Sequence, residues 1–230
     1  FWLKSGRWSF EAHPAHMVLC LRLKRSDKAK LVRSSKCKLV HVVRHGEAQH
    51  NVDQKLLAQH DTQLTCRGQT QARSLRRLLP KLKPQVAITS DVLRALQTTQ
   101  AMGFRGRVVV RPEAREHGGW PANGPIDARR AVQGDLADKF GRYDWSTVLA
   151  QAHGQAEKAS HEITWEPAAK VRTRARELAQ LLENYAESSI LLVSHGQFLQ
   201  ELTGDDYMDN CEVRSYRLFR GKWRRGREHK

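Results

Sequence analysis

The chain has 230 residues, 40% hydrophobic and 28% charged, with 40 Lys and Arg against 24 Asp and Glu and a formal net charge of +16. That length can bury one sizeable core, and the composition excludes a fibrous or intrinsically disordered chain. No apolar run approaches the ~18–20 residues needed to cross a bilayer, so no integral membrane association is expected, while the charge alone does not choose among nucleic acid, an anionic surface and phosphorylated substrates.

The positive charge gathers at the two ends. Residues 1–36 are rich in Lys and Arg, with Glu11 and Asp27 opposing them, and show no clean strand or helix period. This stretch reads as a basic N-terminal extension or a leader resembling an organelle transit peptide. Residues 221–230 read as a basic tail. Cys20, Cys37, Cys66 and Cys211 form no CxxC pair, so neither a zinc site nor a disulfide framework can be read from their spacing. A reducing compartment suits them, cytoplasmic, or organellar if the leader is a transit sequence.

Between the ends, strands and helices alternate. Lys38 to Val43 is short and β-branched, a buried strand. Leu64 to Leu79 follows as a helix with Thr65 as N-cap, Ala72, Leu75, Leu78 and Leu79 on one face, and Pro80 as its stop. Val86 to Thr89 is a second strand, Asp91 to Met102 a helix closed by Gly103, and Val108 to Val110 a third strand. Helical spacing continues over Ile126 to Lys139 and over Pro167 to Tyr185, and Ile190 to Val193 is a fourth strand. Such a succession predicts an α/β fold, a three-layer α/β/α arrangement with a mostly parallel central sheet. Ligands gather at the carboxyl ends of such strands.

Two strand ends deliver the same pattern there, Val43-Arg44-His45-Gly46-Glu47 and Val193-Ser194-His195-Gly196. A lone His-Gly pair is more often a satisfied core histidine than a site. A pair at two strand ends, one preceded by Arg, favours function. Glycine after each histidine lets backbone N–H groups approach an anion closely, so Gly46 and Gly196 are binding candidates. Neutral imidazole offers a nucleophilic lone pair at neutral pH without a base to unmask it. Arg44 and Arg94 present planar forks suited to phosphoryl oxygens.

These residues resemble the histidine phosphatase, or phosphoglycerate mutase-like, superfamily. Its signature is matched by Arg44, His45, Gly46, Glu47 and Asn51, and further matches follow in order. They are Asp61 with Leu64-Thr65, Gly68 and Gln71-Ala72; Ser90 through Thr98, containing Arg94; Ala114-Arg115-Glu116; and Ser194-His195-Gly196. The resemblance covers roughly residues 38–219. Its style is nearest to the phosphoglycerate mutase-like proteins of plants, fungi and protists, on the Trp120-to-Pro125 stretch, the Arg129-Arg130 helix and the Trp145-Ser146 turn.

The resemblance implies a catalytic domain over residues 37–220, with a helical and loop cover at about 118–166 above the strand ends. It implies a phosphohistidine on His45, with Arg44, Arg94 and His195 binding the phosphoryl group. Glu116 is the preferred general acid and base over Glu113, because Gly119 and Trp120 follow it, while Glu47 is expected to orient its loop. Asn51 and Gln97 are either substrate ligands or ordinary surface amides. Arg129 and Arg130 either reach a second anion or lie on a solvated face.

The expected activity is hydrolysis of a phosphomonoester, carried by a small metabolite or a phosphoprotein, without metal or cofactor. Mutase-type transfer is the alternative within the family. A basic module docking nucleic acid, membrane or protein is the alternative outside it, and no RNA-recognition pattern accompanies the charge.

Overall fold

The computed structural model describes residues 37–154 and 165–226; the expectations for residues 1–36 and for the last four residues of the basic tail fall outside them. In chain order the elements are β1 (Lys38–Arg44), α1 (Gln49–Val52), α2 (Cys66–Ser74), α3 (Leu79–Leu82), β2 (Val86–Thr89), α4 (Leu93–Met102) and β3 (Arg107–Val110). There follow α5 (Ala128–Val132), α6 (Ala137–Phe140), α7 (Ser146–Gly154), α8 (Ala168–Asn184), β4 (Ser189–Ser194), α9 (Gly196–Thr203), β5 (Val213–Phe219) and β6 (Lys222–Arg225).

The six strands form one sheet in the order β3-β2-β4-β1-β5-β6. The first four run parallel, and β5 and β6 continue it antiparallel. Period-two alternation divides the apolar side chains between the two faces. Val43, Ala87, Val108, Leu191 and Val193 pack on one side with Leu75, Leu96, Phe140 and Trp145. Val42, Ile88, Ile190 and Leu192 pack on the other with Leu178, Leu182, Phe198 and Leu199. The result is the expected α/β fold with helices on both faces.

Several local expectations change. The helix expected over 64–79 runs as α2, a tight 3-10 turn (Leu75–Arg77) and α3. Thr65 does cap it, accepting from Gly68 N at 3.0 Å. Pro80 does not stop it; it lies in the first turn of α3, where a missing N–H costs nothing. The chain leaves at Lys83, in the left-handed region at φ 47°. The helix expected over 126–139 is broken between α5 and α6, where Gly134 N and Leu136 N both donate to the Arg130 carbonyl. Strands β5 and β6 were not anticipated, and Lys222 to Arg225, assigned to the tail, pair with Tyr216 to Phe219. Among the described residues, no helix is long and apolar enough to cross a membrane.

Candidate active site

Strands β1 and β4 are parallel neighbours with Val43 opposite Val193 and Arg44 opposite Ser194. That register carries the two histidines off the sheet side by side. His45 N donates to Ser194 O at 2.9 Å, and the imidazole centroids of His45 and His195 are 5.1 Å apart. Both rings are buried.

Nδ1 of His45 lies 2.8 Å from the Gly46 carbonyl, which can only accept, so Nδ1 carries the proton and Nε2 the lone pair. Nε of Arg94 donates to that Nε2 at 3.0 Å. Burial, with the Arg94 and Arg44 guanidinium groups nearby, holds His45 well below the usual histidine range. The ring is therefore neutral at physiological pH. Gly46 is required by close packing: a Cβ there would sit 2.6 Å from the Gly68 carbonyl oxygen, and one on Gly68 would sit 1.9 Å from the Glu47 carbonyl oxygen. Gly46 N donates to Thr98 Oγ1 at 3.0 Å, tying the loop to α4.

Arg94 enters from the first turn of α4 with its side chain buried. Its Nη1 donates to the Ala122 carbonyl and its Nη2 to Asn123 Oδ1 at 2.9 Å, so all three of its nitrogens are placed. Burial, opposed by the Glu116 carboxylate and assisted by Arg44, lowers it to about 10, and it remains a cation at neutral pH. Arg44 lies over the Tyr207 ring, 4.8 Å from its centroid, and donates from Nη1 to the Met208 carbonyl at 2.9 Å. Nε of Arg44 is buried without a hydrogen-bond partner, as is Nδ1 of His195. Nε2 of His195 bonds the Ser90 hydroxyl at 2.9 Å. Burial, then Arg94 and His45, holds His195 well below the usual range. It is a neutral ring in this state, and the protonated donor anticipated as one option requires an anion beside it.

Glu116 follows β3 and the 3-10 turn Pro112–Ala114. Its carboxylate caps the start of α9, the helix that His195 opens. Oε1 accepts from Phe198 N at 2.9 Å and Oε2 from Gln197 N at 3.4 Å. Glu116 and His195 thus meet at one helix end. Glu113 accepts from Arg174 through its carbonyl, and its carboxylate oxygen Oε2 is buried without a hydrogen-bond partner.

The amides hold the loops around the site, and Asn51 also contacts His50 and Asn210. Asn51 Oδ1 accepts from Ala48 N at 3.0 Å and caps α1. Gln97 accepts from Leu64 N at 2.8 Å, clamping the segment that leads into α2. Glu47 accepts from Thr65 Oγ1 at 2.7 Å and pairs with Arg67, holding the loop. Arg129 is exposed, and Arg130 is committed to Asp61 and Asp135. Gly196 packs against Tyr207, whose ring a Cβ would meet at 2.5 Å.

Other contributors were not singled out in advance. His50 stands 5.9 Å from His45, bonded to Thr62 Oγ1, and burial, with Arg94 and Arg44, lowers it to about 4. Asn210 donates to the His45 carbonyl at 2.9 Å. Arg174 donates to the carbonyls of Glu113, Arg115 and Glu116 and pairs with Glu166. A signal for Arg174 existed, since it lies in the buried stripe of α8 between Val171 and Leu178. Asn210, in the loop after α9, had none. Among the described residues, no group of three or more His, Cys, Asp or Glu could hold a metal.

Residues 40–217 match the family model of the histidine phosphatase superfamily, branch 1. A glucosyl-3-phosphoglycerate phosphatase of Mycobacterium tuberculosis is 36% identical over 74 residues, 32% of this chain and 33% of that protein. The aligned stretch therefore spans about a third of the relative's length. Among solved structures, the ecdysone phosphate phosphatase of Bombix mori, in complex with tungstate, superposes with a TM-score of 0.59 over 83% of this chain and 92% of its own, at 16% identity. The alpha-ribazole phosphatase of Shigella flexneri does so with a TM-score of 0.54 over 80% and 93%, at 23% identity. These likenesses concern the fold, and the family match spans both histidines, Arg94 and Glu116: the chain belongs to the histidine phosphatase superfamily.

Proposed function

We propose that this chain hydrolyses phosphomonoesters through a phosphohistidine on His45. The observation that carries the reading is the fixed tautomer of His45, with Nδ1–H on the Gly46 carbonyl and the Nε2 lone pair facing the Arg94 guanidinium. A phosphoryl group entering there becomes the new acceptor for Arg94 Nε. The unpaired Arg44 Nε and His195 Nδ1 supply further polar contacts for its oxygens, with His195 gaining a proton as the anion enters. Fixed positive charge of this kind is the main device available for phosphoryl transfer, since charge spreads over the three oxygens in the transition state.

In the first half-reaction Nε2 bonds phosphorus as the bond to the ester oxygen breaks, and Glu116, which takes up the proton of the monoanionic substrate on binding, passes that proton to the departing alkoxide. In the second, Glu116 takes a proton from water as its oxygen attacks phosphorus, the N–P bond breaks and inorganic phosphate leaves. Glu116 is preferred for this work because it shares the start of α9 with His195. The named activities of the relatives are in keeping with a small phosphorylated metabolite as substrate.

The test is a panel of phosphometabolites and phosphopeptides assayed for phosphate release with and without His45→Ala. Loss of release with His45→Ala is expected, together with an acid-labile, base-stable phosphoprotein trapped from the unsubstituted chain. Undiminished turnover in His45→Ala overturns the reading. Retention of the phosphoryl group on isomerised 3-phosphoglycerate would replace hydrolysis by mutase transfer.

A further inference from the structure

A cavity of about 400 Å³ opens beside the candidate site, and Glu116, Gly119, Trp120, Asn123, Trp165 and Lys170 line it. Two of its residues belong to the machinery already described. Glu116 is the proposed proton donor, and Asn123 holds Arg94, which in turn touches His45 Nε2. The cavity is therefore one residue away from the phosphoryl position and shares its acid, which is where the group carried by the phosphate has to rest.

Trp120 is 47% exposed and Trp165 64% exposed, unusual values for the largest apolar side chains. Surface tryptophans are often mobile, but the frame beneath Trp165 is fixed. The next residue, Glu166, pairs with Arg174 at 2.7 Å and accepts from Gly118 N at 3.2 Å, while its carbonyl accepts from His117 Nε2 at 2.6 Å. The Trp165 ring packs 4.9 Å from the His117 ring and lies so close over Gly119 that a Cβ there would sit 2.4 Å from it. Gly119 has φ +123°, a conformation other residues resist. Trp120 opens the 3-10 turn Pro121–Asn123, whose Ala122 carbonyl and Asn123 side chain grip Arg94. The Trp165 indole is thus held by its packing on His117 and Gly119, and the Trp120 backbone is anchored in the turn that grips Arg94. Broad, rigid aromatic faces recognise flat rings or the C–H faces of sugar rings, and add little for a short flexible chain.

The geometry points to a substrate class: the cavity takes the leaving group of a phosphomonoester whose alcohol carries a flat ring face, read by Trp120 and Trp165. This inference rests on the phosphatase reading above. Lys170, exposed in the first turn of α8, places a positive charge at the rim without defining the ring.

The test compares kcat/KM for 2-naphthylmethyl phosphate, glucose 6-phosphate and ethyl phosphate, three esters of primary alcohols with similar intrinsic reactivity. Trp165→Ala and Trp120→Ala are each expected to lower the ring-to-ethyl ratio roughly tenfold, mainly through KM, with Trp165→Phe restoring most of it. The ring ester that loses more identifies the face as aromatic or sugar. A ratio unchanged in both alanine variants for both ring esters overturns the proposal. If no ester is turned over, quenching of tryptophan fluorescence by 2-naphthylmethylphosphonate decides separately. Quenching lost in Trp165→Ala supports the ring site even as the phosphatase reading fails, and quenching equal in all three proteins overturns it.

Discussion

Nε of Arg94 donates to Nε2 of His45 at 3.0 Å, so the nitrogen proposed to attack phosphorus is held by the same cation proposed to bind the phosphoryl oxygens. That contact makes Arg94 both a ligand and a reason for the neutrality of His45, since its charge adds to burial in holding the imidazole deprotonated. Arg94→Lys is expected to lower kcat/KM about 10²–10³-fold, the usual cost of a transition-state donor. The loss should be large because an ammonium cannot replace a fork committed at three nitrogens to His45, Ala122 and Asn123. The kinetics of both Arg94→Lys and Arg94→Ala check this. A lysine variant within threefold of the parent would remove Arg94 from the phosphoryl site.

Three buried histidines, His45, His50 and His195, all have depressed values in the fold. Unfolded, each takes up a proton near pH 6.5, so below that pH the unfolded chain binds more protons than the folded one. Their contribution to stability is complete above about pH 6.5 and declines as pH falls, for His50 until about 4. Denaturant midpoints measured from pH 7.5 to 4.5 should fall with acidification, at up to about 1.4 kcal/mol per pH unit for each histidine. An anion saturating the phosphoryl site should oppose the part of the fall that belongs to His195, which gains a proton as the anion enters. A flat profile across this range would contradict the burial of the three rings.

Gly68→Ala tests the packing of the loop against α2. The added Cβ would stand 1.9 Å from the Glu47 carbonyl oxygen, and the neighbour is backbone, which cannot swing aside. Overpacking of this kind costs about 1–3 kcal/mol. It should also move Gly46, which lies against the Gly68 carbonyl and holds Nδ1 of His45. A lowered Tm together with a lowered kcat is the expected pair of results.

The strand ends were legible because β1 and β4 are short, mostly apolar runs that stop at Arg44-His45 and Ser194-His195. Burial alone would not have separated His45 from His41, which is also buried in β1. His41 bonds Ser215 Oγ at 2.7 Å and the Leu82 carbonyl at 3.1 Å, a structural pairing away from the strand end. Position in the strand made the difference. What stayed hidden is long-range. That Asn123 would grip Arg94, or that Glu116 would cap α9, depends on loops meeting across 29 and 82 residues with no periodic pattern to announce them. Strand β6 was hidden for another reason: Lys222 to Arg225 is an edge strand, exposed or half-buried, and edge strands carry charge rather than an apolar signature. Residues 133–136 separate α5 from α6 although each half keeps helical spacing, because a break depends on a glycine, Gly134, packed against the Arg130 backbone.

Glu116 is the member of the site whose role leaving-group chemistry can isolate. Its carboxylate meets the first amides of α9 at 2.9 and 3.4 Å, beside His195, so a glutamine at this position retains an acceptor oxygen for Phe198 N while losing the transferable proton. An alkoxide cannot depart without that proton, whereas a nitrophenolate leaves readily as the anion. Glu116→Gln is therefore expected to reduce turnover of alkyl phosphates about 10²–10⁴-fold and to spare the phosphorylation of His45 by 4-nitrophenyl phosphate, followed as a burst of nitrophenol. Hydrolysis of the phosphohistidine should still be slow in that variant, because the same carboxylate is proposed to activate the water, so the burst should precede a depressed steady state. Equal losses in the burst phase for both leaving groups would assign Glu116 to holding α9 and would move the acid to another residue.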